Sequence, residues 1–186
     1  MIIALIDTLK SKVVATYIGA IHEDAAVTLG DNSFNIDTAR YNLAPGVRAF
    51  GLDVSTSYSQ GCVDGGVGPT RTLYVQDGKT IRPILEYFYI YTWKFANLGG
   101  RPNCVNGEGD EVTANISYSI GISKATTNGY SNLLITANGS YSNGDKYTQK
   151  PFQYELHYDG NKYPTGIFNG ADAKLEKELE NWQKLP

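Results

Sequence analysis

Histidine is nearly missing from this 186-residue chain, which holds only His22 and His157. A hydroxyl or thiol nucleophile needs an adjacent base, so most nucleophilic triads lose a member at the outset. No Gly-x-Ser-x-Gly elbow occurs either. Gly65-Gly66-Val67-Gly68 lacks the following helix and lysine of a phosphate-cradling loop. Basic clusters are absent and the net charge is only −3, which argues against nucleic acid as a partner. No apolar run approaches a membrane span. There are two cysteines with no nearby histidine, so zinc is not expected. Neither a metal nor a cofactor is expected from the sequence.

What remains is glycine and tyrosine, 20 and 14 residues, with many Ser, Thr and Asn. That mixture suits short strands and tight turns. Two segments carry the strongest short-range hairpin signal, an Asp-Gly pair between alternating runs. One is Tyr74-Val75-Gln76-Asp77-Gly78-Lys79-Thr80-Ile81, and the other is Tyr154 to Tyr163 with Asp159-Gly160. Ser57-Tyr58-Ser59 and Ser140-Tyr141-Ser142 precede them at nearly equal spacing. Two related β units, about 40–95 and 112–168, are expected inside one β domain spanning 1–170.

The clearest half-buried strand runs from Val112 to Ile122, with Ala114, Ile116, Tyr118 and Ile120 alternating with polar residues. Gly30-Asp31-Asn32 marks a further hairpin between Ala25–Leu29 and Ser33–Ile36. Roughly ten to twelve antiparallel strands result, in a sandwich or a small propeller-like arrangement. Only the C-terminus reads as helical. Asp172 can cap residues 173–184, and Leu175, Leu179 and Trp182 share one face. A helix over 171–186 packed on the sheet is expected.

Cys62 and Cys104 each lie in a polar, glycine-rich stretch. A structural buried cysteine belongs in an apolar strand, so these two are read as a disulfide staple. Loop-closure entropy gives roughly 4 kcal/mol for a bridge of this span. A bridge implies a periplasmic or secreted protein. Met1 to Ile6 is too short for an intact signal peptide, and Met1 is read as a start placed where a leader was removed.

One row of side chains stands out as a binding candidate. Tyr87, Tyr89, Tyr91 and Trp93, followed by Phe95, occupy alternate positions and share a face if the segment is one strand. Facing solvent, they would form a platform for sugar rings or a protein; facing inward, they would be a core layer. Other candidates are weaker. His22-Glu23-Asp24 would point to opposite faces of a strand, and Asn106 to Glu111 matches no calcium-loop pattern. His157 reads as a packed or surface histidine. Among 19 acidic residues, Asp53, Asp64, Glu108 and Asp110 lie in or beside loops, with no spacing that singles out a catalytic pair.

Several phrases together are more distinctive: Leu43-Ala44-Pro45-Gly46-Val47-Arg48-Ala49-Phe50-Gly51, then Thr72-Leu73-Tyr74-Val75, then His157-Tyr158-Asp159-Gly160 and Tyr163-Pro164. Over about residues 38–164 the chain resembles a group of uncharacterised secreted proteins of Gram-negative bacteria. The resemblance implies export and a β fold, and carries no chemistry. Asn128 to Ala137 is faintly similar to a strand of FG-GAP propeller repeats, but their Asp-x-Asp-x-Asp-Gly calcium loop is missing. The leading expectation is a non-enzymatic periplasmic domain that binds a protein partner in the envelope, such as an inhibitor or immunity protein. A glycan-binding module using the aromatic row is the alternative, and a carboxylate-dependent hydrolase the third reading.

Overall fold

The structure, a computed structural model, describes residues 1–23, 27–58, 65–95, 112–145, 150–165 and 177–178. Thirteen strands lie among them. Sheet one contains β1 (Ile2–Asp7), β2 (Lys12–Ile18), β4 (Phe34–Ala44), β5 (Val47–Val54), β8 (Thr70–Asp77) and β9 (Thr80–Tyr89), in the order β1-β2-β9-β8-β5-β4. Sheet two contains β7 (Gly65–Val67), β10 (Tyr91–Phe95), β11 (Thr113–Thr127), β12 (Tyr130–Tyr141) and β13 (Phe152–Leu156), in the order β13-β12-β11-β10-β7. A small ribbon pairs β3 (Val27–Thr28) with β6 (Ser57–Tyr58). Every pairing is antiparallel except that of β2 and β9, which touch in parallel at Thr16 and Thr80.

Local chemistry accounts for the hairpins. Gly78 at φ 60° lets β8 turn into β9. Asn128 and Gly129, at φ 48° and 85°, turn β11 into β12; paired positive φ values give a two-residue loop the right-handed twist of its strands. Along β11, Ala114, Ile116 and Tyr118 are buried while Ser117 and Ser119 are exposed.

The sheets pack face to face. Ile116, Leu133 and Ile135 of sheet two join Leu73, Val75 and Phe88 of sheet one in one core. The fold is therefore an all-β sandwich of curled sheets, and the propeller-like alternative falls away. Sheet one also buries its opposite, concave face. Ala15, Leu52, Tyr74 and Ile81 form a second, smaller cluster there, with Leu5 and Phe50 packed on it. Tyr163 fastens the two sheets together. Only 1% exposed, it donates its backbone N–H to Ile84 O on β9 and its hydroxyl to Ser131 O on β12, both at 2.6 Å.

Three expectations change. The turn at Gly30–Ser33 forms, with Ser33 N donating to Gly30 O, yet among the described residues its flanks do not pair with each other. β3 pairs with β6, over two residues, and β4 with β5 along most of its length. The second Asp-Gly pair makes a turn without a hairpin. Asp159 Oδ1 accepts from Asn161 N and Lys162 N, and the chain then bonds to β9 instead of returning along β13. Its counterpart landmarks also diverge, since Ser57 and Tyr58 form a two-residue edge ribbon while Ser140 and Tyr141 end the long β12. The C-terminal helix lies outside the described residues, apart from the exposed Lys177 and Glu178.

Candidate functional site

The aromatic row divides between the two sheets at Ile90. Its N–H donates to Pro69 O at 3.0 Å and its carbonyl accepts from Tyr118 N at 2.9 Å. Tyr87 and Tyr89 therefore stay on β9 in sheet one, while Tyr91 and Trp93 open β10 in sheet two. Tyr87 is 66% exposed and sits at φ 50°, a conformation that costs an aromatic residue energy. It lies where β8 and β9 lose register, and its N–H turns to Thr72 Oγ1 at 3.3 Å. That irregularity keeps Phe88 in the core at 1% exposure.

On β10 the register fixes the faces. Thr92 and Lys94 lie opposite the core residues Ile116 and Ala114. Tyr91, Trp93 and Phe95 consequently point away from the core, opposite Ser117, Asn115 and Thr113. All three are half-buried, and for Tyr91 and Trp93 the cause is the glycine-rich segment beside them. A Cβ on Gly66 would lie 2.7 Å from Trp93 Nε1, and one on Gly68 would lie 2.7 Å from Tyr91 Cδ1. The rings thus lie down on β7 where only glycine leaves room. Tyr91 donates its hydroxyl to Asn115 Oδ1 at 2.7 Å, and Trp93 meets Phe95 edge to face at 5.3 Å. The outcome is a preset aromatic ledge on the outer surface of sheet two.

The ledge stands at one end of that sheet. Gly65 lies opposite Lys94, and Phe95 opposite Thr113. Residues 59–64 and 96–111 join the described chain at these neighbouring points. Cys62 and Cys104, read as a bridge, lie within those two stretches and outside the described residues, as do Asp64, Glu108 and Asp110.

The remaining candidates are engaged in structure. Arg71 on β8 donates Nε and Nη2 to the two oxygens of Asp53, at 2.6 and 2.8 Å, and Nη1 lies 2.6 Å from Asp37 Oδ2. Tyr41 gives its hydroxyl proton to Asp37 at 2.5 Å, and burial together with that carboxylate pushes its pKa up to about 12. Asp53 is thus a clamp on a buried guanidinium rather than a free acid. His22 is exposed.

His157 belongs to a cluster that no sequence spacing announced. Ser123 of β11 donates to Glu155 Oε1 of β13 at 2.5 Å, and Asn132 of β12 donates to Glu155 Oε2 at 2.8 Å. Thr127 Oγ1 reaches Asn132 Oδ1 at 2.8 Å and His157 Nδ1 at 3.2 Å. The hydroxyl of Ser123 and the amide of Asn132 hold the Glu155 carboxyl below its ordinary value. Ser123 gives its hydroxyl proton to the Glu155 carboxylate and Thr127 gives its own to Asn132 Oδ1 rather than to His157, so both hydroxyls are taken up in holding the cluster together. The cluster ties three strands together. Only strand register brings its members into contact, and residues 123, 132 and 155 share no motif.

Among the described residues, no three His, Cys, Asp or Glu side chains converge as metal ligands, and no helix is long and apolar enough to cross a membrane. No family model, curated protein or solved structure matches the chain.

Proposed function

We propose that the protein is a non-enzymatic, exported binding domain that meets a protein partner at the ledge-bearing end of sheet two, as an inhibitor or immunity protein of an envelope-directed enzyme would. The observation that carries this reading is the outward face of Tyr91, Trp93 and Phe95, the first two laid down on Gly68 and Gly66, beside the roots of residues 59–64 and 96–111. Aromatic side chains already fixed in place lose little freedom on contact and bury large areas. Loops held by a rigid scaffold are the usual carriers of recognition. A Cys62–Cys104 bridge is part of the proposal, since it would tie two segments that leave the sheet as neighbours. Such a bridge would go with a periplasmic or secreted location, as does the resemblance to secreted proteins.

The test is affinity capture from the native envelope with quantitative mass spectrometry, run beside the Trp93→Ala/Phe95→Ala double variant. One protein should be enriched by the wild type and lost with the variant, while both melt at similar temperatures. Recovery of nothing specific sinks the reading. Alkylation of the unfolded, unreduced chain should label neither cysteine; two labelled thiols would remove the bridge.

A second reading, a glycan-binding module, draws on the same outward indole, because sugar rings stack on flat aromatic faces. Retention on insoluble polysaccharide, lost in Trp93→Ala without loss of fold, would select it. Carboxylate-dependent hydrolysis, the third reading, has less support because Asp53 is engaged by Arg71.

A further inference from the structure

We propose that the gap between the two ends of sheet one receives one extended segment of a partner protein, led by an acidic residue and apolar at alternate positions. This does not rest on the ledge of sheet two. Sheet one is curled but not closed, and β1 and β4 are its terminal strands. Both line one cleft of about 460 Å³, walled by Ala4 and Leu5 of β1, Ile36 of β4, and Arg48 and Phe50 of β5, with Gln76 of β8.

The backbone of each edge is set to accept a ladder. Met1 and Gly19 exchange hydrogen bonds, at 2.9 and 3.1 Å. By antiparallel alternation, Ile2 and Ala4 then turn their N–H and C=O groups away from β2, toward the gap. On the other edge, Ser55 N donates to Ser33 O at 2.8 Å. The same alternation turns the peptide groups of Phe34 and Ile36 outward. The two edges also agree in direction. Following the pairings from β1 through β2, β9, β8 and β5 to β4, both terminal strands run the same way. A single strand entering between them is antiparallel to both, which is the geometry of β-strand addition.

Side chains specify the guest. Phe34 and Ile36 are 47% and 67% exposed and lie opposite Val54 and Leu52, whose side chains belong to the concave cluster. Exposed apolar residues beside an unfilled concavity favour apolar guest side chains at every second position. Arg48 shares the concave face with Phe50, two residues on. Among the described residues it has no hydrogen-bond or ion-pair partner. Its guanidinium calls for a carboxylate. An incoming strand would run in the direction of β5, and Arg48 stands at the start of β5, so the acid precedes the apolar residues.

The probe is a fluorescein-labelled octapeptide, Glu-Thr-Val-Thr-Ile-Thr-Val-Thr, added to the full chain and followed by anisotropy and by amide hydrogen exchange. Saturable binding is expected, with exchange at Ile2, Ala4, Phe34 and Ile36 slowed about tenfold or more. Arg48→Glu should weaken this peptide about tenfold, the loss of one charge-assisted contact, and a Lys-led version should recover the difference. A peptide N-methylated at alternate backbone nitrogens should not bind. Equal binding of the methylated peptide, or unchanged exchange at the four amides, overturns the proposal. It is equally overturned if those amides are already slow in the free protein. Slow exchange lost on dilution would identify a second copy as the occupant, and slow exchange independent of concentration would identify the chain's own segment.

Discussion

The two faces of sheet one have had different fates. Its convex face is sealed by sheet two into a core containing Leu73, Val75, Leu133 and Ile135, all within 1% of full burial. Its concave face, among the described residues, fully buries Ala15, Leu52, Tyr74 and Ile81 alone, and leaves Phe34 and Ile36 facing water at its rim. The same strands, with the same alternation, therefore build one finished interior and one unfinished one. The difference lies in what covers them. A facing sheet excludes water across its whole area, whereas a curl of the sheet onto itself covers only what its own two ends can reach.

Four measurements would break or sharpen that contrast. The largest effect should come from Arg71→Ala at the edge of the sealed core. It leaves the buried Asp53 without its cation and Asp37 with only the Tyr41 hydroxyl and the Ala39 N–H, and should cost about 3–5 kcal/mol in urea unfolding. Next, Leu133→Ala should cost about 3–5 kcal/mol and Ile81→Ala about 2 kcal/mol, because a void in the closed core cannot collapse or fill as one beside an open cleft can. Equal costs would erase the distinction between the faces.

Third, alkaline pH should destabilise the protein. Burial raises the pKa of Tyr41 to about 12, and it raises Tyr154 and Tyr163 in the sealed core and Tyr74 in the concave one. The unfolded chain releases these protons first. Stability is therefore full below pH about 10 and falls as pH rises toward the folded values, by up to about 1.4 kcal/mol per pH unit for each tyrosine. A melting temperature flat from pH 9 to 12 would contradict the burial of these rings. The smallest effect belongs to the rim, where Phe34→Thr with Ile36→Thr should change unfolding free energy by less than about 1 kcal/mol. A large loss there would mean that the rim is already covered.

Local signals carried most of the fold. Asp77-Gly78 and Asn128-Gly129 needed nothing but their own backbone preferences, and β11 declared its buried face by strict alternation. Features set by long-range pairing were not legible. Ile90 looks like any residue of a continuous aromatic strand, and only its bonds to Pro69 and Tyr118 show that the chain changes sheets there. The Arg71 clamp joins positions 37, 41, 53 and 71, which no spacing rule connects. The ledge was half legible. Alternation put Tyr91 and Trp93 on a common face, but the glycines that let them lie down sit in another strand.

Tyr163 carries a consequence of a different kind. One residue near the end of the described chain is tied at once to Ile84, through its backbone N–H, and to Ser131, through its hydroxyl. During synthesis on a ribosome, the earlier strands emerge with their clasp still untranslated. The faces of the two sheets can meet before that point, but this tie between them forms only once residue 163 has been added.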